Sequence, residues 1–318
     1  MKTLRRMTWL GMLDLAVLVL AVAMAPRAQA QLPLMQRKAA LLQWYRQDFP
    51  VGNFPTGLAF DGTNIWVSNN GGASVTKVRA IDGAIVGKFS VGTGPAELAF
   101  DGENIWVSNS QSNTVTKLRA VTGATLGTFA VGSGPRGIAF DGDNMWVANE
   151  NDNTVTKLHA SNGAKIGTFP AGVNPVEIAF DGANIWVLNG SIGVTEIRTS
   201  DGATLDTFPV LGETDAIAFD GANVWITACG GDTVAKLRTS DGSLLGTFPV
   251  GGVCPDAIAF DGDHMWIANY GDGTITKMAA SDGKILAVVA GPFGPEGIAF
   301  DGASIWTAAP FAEIVSKH

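Results

Sequence analysis

Gly134–Val173 reads GPRGIAFDGDNMWVANENDNTVTKLHASNGAKIGTFPAGV. Two dipeptides punctuate it, Asp141-Gly142 and Asn162-Gly163, each set between short apolar or β-branched runs. Both are hairpin-turn signals, because tight hairpin turns need positive φ, which a β-carbon penalises. Gly137–Phe140 and Asn144–Asn149 therefore read as one hairpin, Thr154–Leu158 as a third strand, and Ala164–Phe169 as the strand that closes the unit. No part of it has the 3.6-residue apolar period of a helix, which excludes strand–helix–strand units. Four short strands joined by tight turns are the content of one propeller blade.

Outward from this copy the same phrase recurs. Phe-Asp-Gly stands at Phe60, Phe100, Phe140, Phe180, Phe219, Phe260 and Phe300. A Trp follows six residues later each time, at Trp66, Trp106, Trp146, Trp186, Trp225, Trp266 and Trp306. Seven copies at a period near forty predict an all-β, seven-bladed propeller of four-stranded antiparallel blades. The Trp residues, flanked by Ile, Val or Met, read as packing between blades. Lys77, Lys117, Lys157, Lys236, Lys277 and Lys317 fall on the third strand beside Thr and Val and read as a solvated outer face.

The chain begins with a basic stretch, an apolar run from Met7 to Ala25, and Ala28-Gln29-Ala30. Residues 1–30 thus read as a secretory signal cleaved before Gln31, with an uncleaved anchor as the alternative, and 31–44 as a lead-in segment. Residues 45–318 form the single propeller domain. Tyr45–Gly52 (YRQDFPVG) aligns with the fourth-strand phrase LLGTFPVG at Leu244–Gly251, while the seventh repeat stops after its third strand, at Ile314–Lys317. The N-terminal strand is expected to complete the last blade and close the ring, which removes exposed sheet edges.

The chain carries 21 basic and 29 acidic residues. Loss of residues 1–30 takes away Lys2, Arg5, Arg6, Arg27 and Asp14 and leaves a net charge of −11. Such a protein is a poor binder of nucleic acid or anionic membrane, whose sequence-independent attraction is to cations. The expectation is an exported monomer, periplasmic or extracellular. Only Cys229 and Cys254 are present, in the loops after the second strand of blade 5 and before blade 6. These loops share a face, so the two thiols pair as a disulfide or remain free and partly buried.

Positions constant in every blade serve packing and turns, so the informative positions are those that vary. They concentrate on the face bearing the loops after the second and fourth strands. Just before the innermost strand stand Thr56, Glu97, Arg136, Glu177, Asp215, Asp256 and Glu296. Five carboxylates and one Arg around a channel mouth must be protonated, paired or bridged by a cation. This suggests a cationic ligand or a divalent ion such as calcium or magnesium, with Glu97, Glu177 and Asp256 as candidate metal ligands; a solvated acidic rim is the alternative. Asn69, Asn109, Asn149, Asn189 and Asn269 end the second strands as turn caps or as carbonyl-oxygen ligands. Tyr270, Phe293 and Phe311 are aromatic departures that can line a ligand pocket. His159, His264 and His318 lie away from the mouth, and no nucleophile-elbow or phosphate-loop signature is present.

The phrase IAFDGxNIWVANxxxNTVTKL resembles exported bacterial propellers of the YncE type with YVTN repeats. It is also similar to the streptogramin (virginiamycin B) lyase family and, more distantly, to NHL repeats. The resemblance spans residues 45–318. For the lyase family it implies a metal-supported His and Glu on one propeller face that open a cyclic depsipeptide by elimination. Similarity to gluconolactonase-like propellers implies a Glu, Asn and Asp metal site, for which Glu97 or Glu177, Asn149 and Asp256 are residues of the required kind. Together these readings predict a propeller that binds a small ligand or protein partner on its variable face. The alternatives are a metal-dependent lyase or lactone hydrolase and a quinone-cofactor dehydrogenase.

Overall fold

The turns dictate the strands. In the computed structural model, which describes residues 46–190, 193–210 and 212–318, the Gly134 copy forms strands Pro135–Phe140, Asn144–Asn149, Thr154–His159 and Lys165–Pro170, paired antiparallel in that order. The signal and lead-in readings, and Tyr45 of the closing strand, lie outside the described residues. Seven such four-stranded sheets make up the propeller. We number the blades 1 to 7 from Pro55 and letter the strands a to d from the innermost. Three-residue 3-10 turns follow strand b in four blades among the described residues, as at Glu150–Asp152. Among the described residues no helix is long and apolar enough to cross a membrane.

The ring closes through both ends of the chain. Gln47–Pro50 pairs with Ile314–Lys317, which continues to Ile305–Ala309 and Gly297–Phe300. Phe49 lies on Trp306 at 5.6 Å between ring centroids, the place Phe129 takes on Trp106 at 5.6 Å. Ser316 Oγ hydrogen-bonds Asp48 Oδ1 at 2.7 Å, and the Val51 N–H donates to the Glu313 carbonyl. Blade 7 therefore has the interior of an ordinary blade.

The core lies between blades. Trp66 is fully buried and packs with Leu98, Ile105 and Val107 of blade 2. Its indole N–H donates to Asp61 of its own Asp-Gly turn at 2.8 Å, and the same bond recurs in all seven blades, as with Trp146 and Asp141 at 2.7 Å. Gly163 shows why the outer turn needs glycine. Its φ is +75°, and a β-carbon there would lie 2.1 Å from the Phe129 ring of the preceding blade.

The strand-c lysines correct the solvated-face expectation. Lys157 pairs across the ladder with Trp146, covers its ring at 4.9 Å and donates to the Thr199 carbonyl of blade 4 at 2.6 Å. Lys77, Lys117 and Lys236 are buried in the same arrangement, bonding Ala120, Ala160 and Ala280. Alternation along the strand suggested an outward face, but a blade has neighbours on both faces. The outer side of one sheet is the inner wall of the next junction, and the ammonium clamps it by cation–π contact and a charge-assisted hydrogen bond.

Candidate functional site

Strand a begins with proline in five blades, at Pro55, Pro95, Pro135, Pro175 and Pro255, and the ladder slips immediately after it. Proline has no N–H to give the ladder. The bulge breaks the alternation of the strand and re-aims the side chains just after the proline: Thr56, Arg136 and Asp256, one residue on, and Glu97 and Glu177, two residues on, all reach the channel. Asp215 and Glu296 arrive from the loop just before the shorter strands Ile217–Phe219 and Gly297–Phe300. Strand-b hydroxyls take up the freed backbone groups: the Glu97 N–H donates to Ser108 Oγ at 3.0 Å, and the Ala216 N–H to Thr227 Oγ1 at 2.9 Å. Adjacent inner strands also run close, since a β-carbon on Gly137 would lie 2.5 Å from the Glu177 Cα.

All seven of these side chains line one cavity of about 690 Å³. Its outer wall is built from the loops after strands b and d, including Phe54, Asn70, Ser110, Glu150, Glu213 and Tyr270. Arg136 is the one cationic side chain in the lining, and its guanidinium is 3.6 Å from the Glu150 carboxylate.

Burial dominates the titration of the ring. It drives Glu97 well above the usual carboxylate range, with the Glu177 and Asp256 charges adding to the effect and Arg136 opposing it. Burial likewise raises Glu177 to about 7 against the Ile178 N–H and Arg136. Asp256 is pushed to about 8, by burial first and then by Asp215 and Glu296. Asp215 and Glu296 are raised by burial as well, Asp215 further by Glu213. Near neutral pH the mouth is therefore partly protonated.

The other candidates fall in different places. Asn149 is fully buried inside blade 3. Its Nδ2 donates to Thr154 and Thr156 hydroxyls and its Oδ1 accepts the Gly132 N–H, so it ties strands b and c to the d–a loop and does not line the cavity. Tyr270 lines the cavity, while Phe293 and Phe311 stand exposed on its rim. Cys229 and Cys254 are joined as a disulfide that bridges the blade 5 turn to the segment leading into blade 6. Glu97, Glu177 and Asp256 line the cavity from blades 2, 4 and 6; among the described residues no group of three or more His, Cys, Asp or Glu side chains is gathered as a metal site.

Sequence reasoning missed Glu150, Glu213 and Phe54. Phe54 was detectable, because it fills a repeat position held by Gly94 and Gly134 in the next two blades. Glu150 and Glu213 carried no signal, since polar loop residues are usual there.

The family described as outer membrane protein assembly factor BamB matches residues 58–217. No curated protein matches the chain. Solved structures share the fold. Kuenenia stuttgartiensis hydrazine synthase is similar with a TM-score of 0.76 at 18% identity, over 85% of this chain and 96% of that one. A streptogramin B lyase has a TM-score of 0.75 at 19% identity, covering 86% and 96%. A catalytically inactive virginiamycin B lyase from Staphylococcus aureus, solved with quinupristin, has a TM-score of 0.74 at 18% identity, covering 86% and 98%.

Proposed function

From the premise that the chain belongs to the family described as outer membrane protein assembly factor BamB, we propose that it is an exported binding propeller which takes a ligand or protein partner on its variable-loop face. Residues 1–30 act as the cleaved signal, 31–44 as a lead-in and 45–318 as the binding domain. The observation that carries this reading is the gathering of one side chain from the start of each blade's inner strand or the residues just before it, five of the seven acidic, into one cavity walled by the variable loops. The mouth favours a cationic group, because deprotonated carboxylates there face a single guanidinium. The family description, an assembly factor, supports a protein as the partner. The absence of a three-ligand acidic cluster among the described residues leaves the metal-dependent lyase or lactonase alternative without a geometric support.

The test is a thermal melt with and without spermidine as a probe cation. Spermidine should raise the melting temperature more at pH 8.5 than at pH 6, because preferential binding to the folded state stabilises it and the carboxyls must release protons first. A Glu97→Gln, Glu177→Gln, Asp256→Asn variant should lose the effect. An equal shift in that variant, or none in the wild type, removes the reading.

A further inference from the structure

Phe311 gathers three other rings on one side of the mouth. Phe54 meets it edge-on at 5.8 Å, Phe293 lies at 6.2 Å and Tyr270 at 6.4 Å. These rings come from loops of blades 6, 7 and 1, yet Phe293 remains 70% exposed and Phe311 59%. Scaffold packing does not account for them, since the residues matching Tyr270 in blades 1 to 4 are Asn70, Ser110, Glu150 and Gly190, and those matching Phe311 in blades 1 to 3 are Gly71, Gln111 and Asn151. Phe54 is held at φ +54°, where the equivalent residues are Gly94, Gly134, Asn174, Cys254 and Gly294 at +52° to +65°. A bulky aromatic side chain in the left-handed region carries a conformational cost that glycine avoids at this position in blades 2, 3 and 7. Phe54 and Tyr270 also line the cavity, so the aromatic patch and the acidic mouth are one continuous surface.

We propose that this surface docks a cationic polypeptide segment, an apolar side chain lying on Phe293 and Phe311 while a neighbouring lysine or arginine enters the cavity beside Glu296 and Asp256. The inference rests on reading the mouth as a binding site and names its occupant. Charge complementarity decides the sign: Glu296 follows Phe293 by three residues in the same segment, and the nearest opposing charge, Arg136, is answered by Glu150. The extent of the surface decides the class. An occupant must cover rings outside the cavity and place a cation inside it, which an extended chain does with neighbouring side chains. Tyr270, at the boundary, offers its ring face to the passing cation. Exposed aromatic patches of this kind mark interaction sites on soluble proteins.

The probe is a fluorescent hexapeptide of alternating lysine and phenylalanine, titrated by anisotropy against the protein produced from its full coding sequence. Glutamate–phenylalanine and lysine–glycine peptides serve as comparators. The lysine–phenylalanine peptide should bind at least about tenfold more tightly than either, as expected where an aromatic anchor dominates. Binding should weaken with salt and with Glu296→Gln. Phe293→Ala should weaken it about threefold, and Phe293→Ala with Phe311→Ala more than about tenfold. Phe293→Ala alone guards against the chance that removing Phe311 disturbs Phe54. Unchanged affinity in the double variant, or no preference over the lysine–glycine peptide, overturns the inference. If spermidine still stabilises the protein while the peptide fails to bind, docking falls and the cationic mouth stands; if neither binds, both fall.

Discussion

The two faces of the propeller use the same carboxyl group in opposite ways. On the turn face, Asp101, Asp141, Asp220 and Asp261 follow the repeated Phe, and although burial pushes each of them up, hydrogen bonds from the Trp indole, backbone N–H groups and an adjacent Asn or His pull them below the usual range. At the mouth, burial acts with few donors to oppose it, and Glu97, Glu177 and Asp256 are driven upward. A carboxylate that is part of the scaffold arrives with its donors two to five residues away in the same turn. The mouth carboxylates are brought together from different blades, and their neighbours are one another. What separates structural from functional acids here is whether local sequence supplies the hydrogen bonds.

The largest expected effect breaks the ring on which both faces depend. Deleting residues 31–52 removes Phe49 from Trp306 and leaves blade 7 with an open edge. The product should aggregate or fail to show a cooperative melt, and a melt near the full-length temperature would refute the importance of closure.

Next, Asp141→Ala strips the acceptor from Trp146 Nε1 and from the Asp143 and Asn144 N–H groups. It should cost about 2–3 kcal/mol in urea denaturation, the range for hydrogen bonds to a charged partner. Glu97→Gln, which removes a buried acid with no equivalent set of donors, should cost far less. Equal losses at the two positions would erase the distinction between the faces.

The third expectation is a pH profile. The raised mouth carboxyls bind protons in the folded state that the unfolded chain has released, so their contribution is complete below pH 4 and is lost as pH rises through about 7 to 8. The lowered turn aspartates behave inversely: their contribution is present above pH 4 and disappears as pH falls through their depressed values. The melting temperature should therefore peak near pH 5 and fall by ~5 °C by pH 9, since a shift of that size in a domain of this length corresponds to one or two kcal/mol. The triple mouth variant should flatten the alkaline limb and leave the acid limb intact.

The smallest is Lys157→Met. The junction loses its cation–π contact and the bond to the Thr199 carbonyl, and the protein should lose about 1–2 kcal/mol in chemical denaturation. A change within about 0.5 kcal/mol is what a solvated lysine gives and would return Lys157 to the outer surface.

The sequence alone determined the number of blades, the strand content of each, the closing strand and seven of the side chains that line the mouth. These follow from local chemistry: turns that demand glycine, a period near forty, and a repeat whose own copies show which position varies. Only the tertiary structure decided the burial of Lys157, the placement of Asn149 inside its blade, the joining of Phe54, Phe293 and Phe311 into one patch, and the upward shift of Glu97 and Asp256. Each of these depends on a partner in another blade or at the other end of the repeat unit. In a stack of sheets every face is covered by a neighbour some forty residues away, and no local pattern states what that neighbour brings.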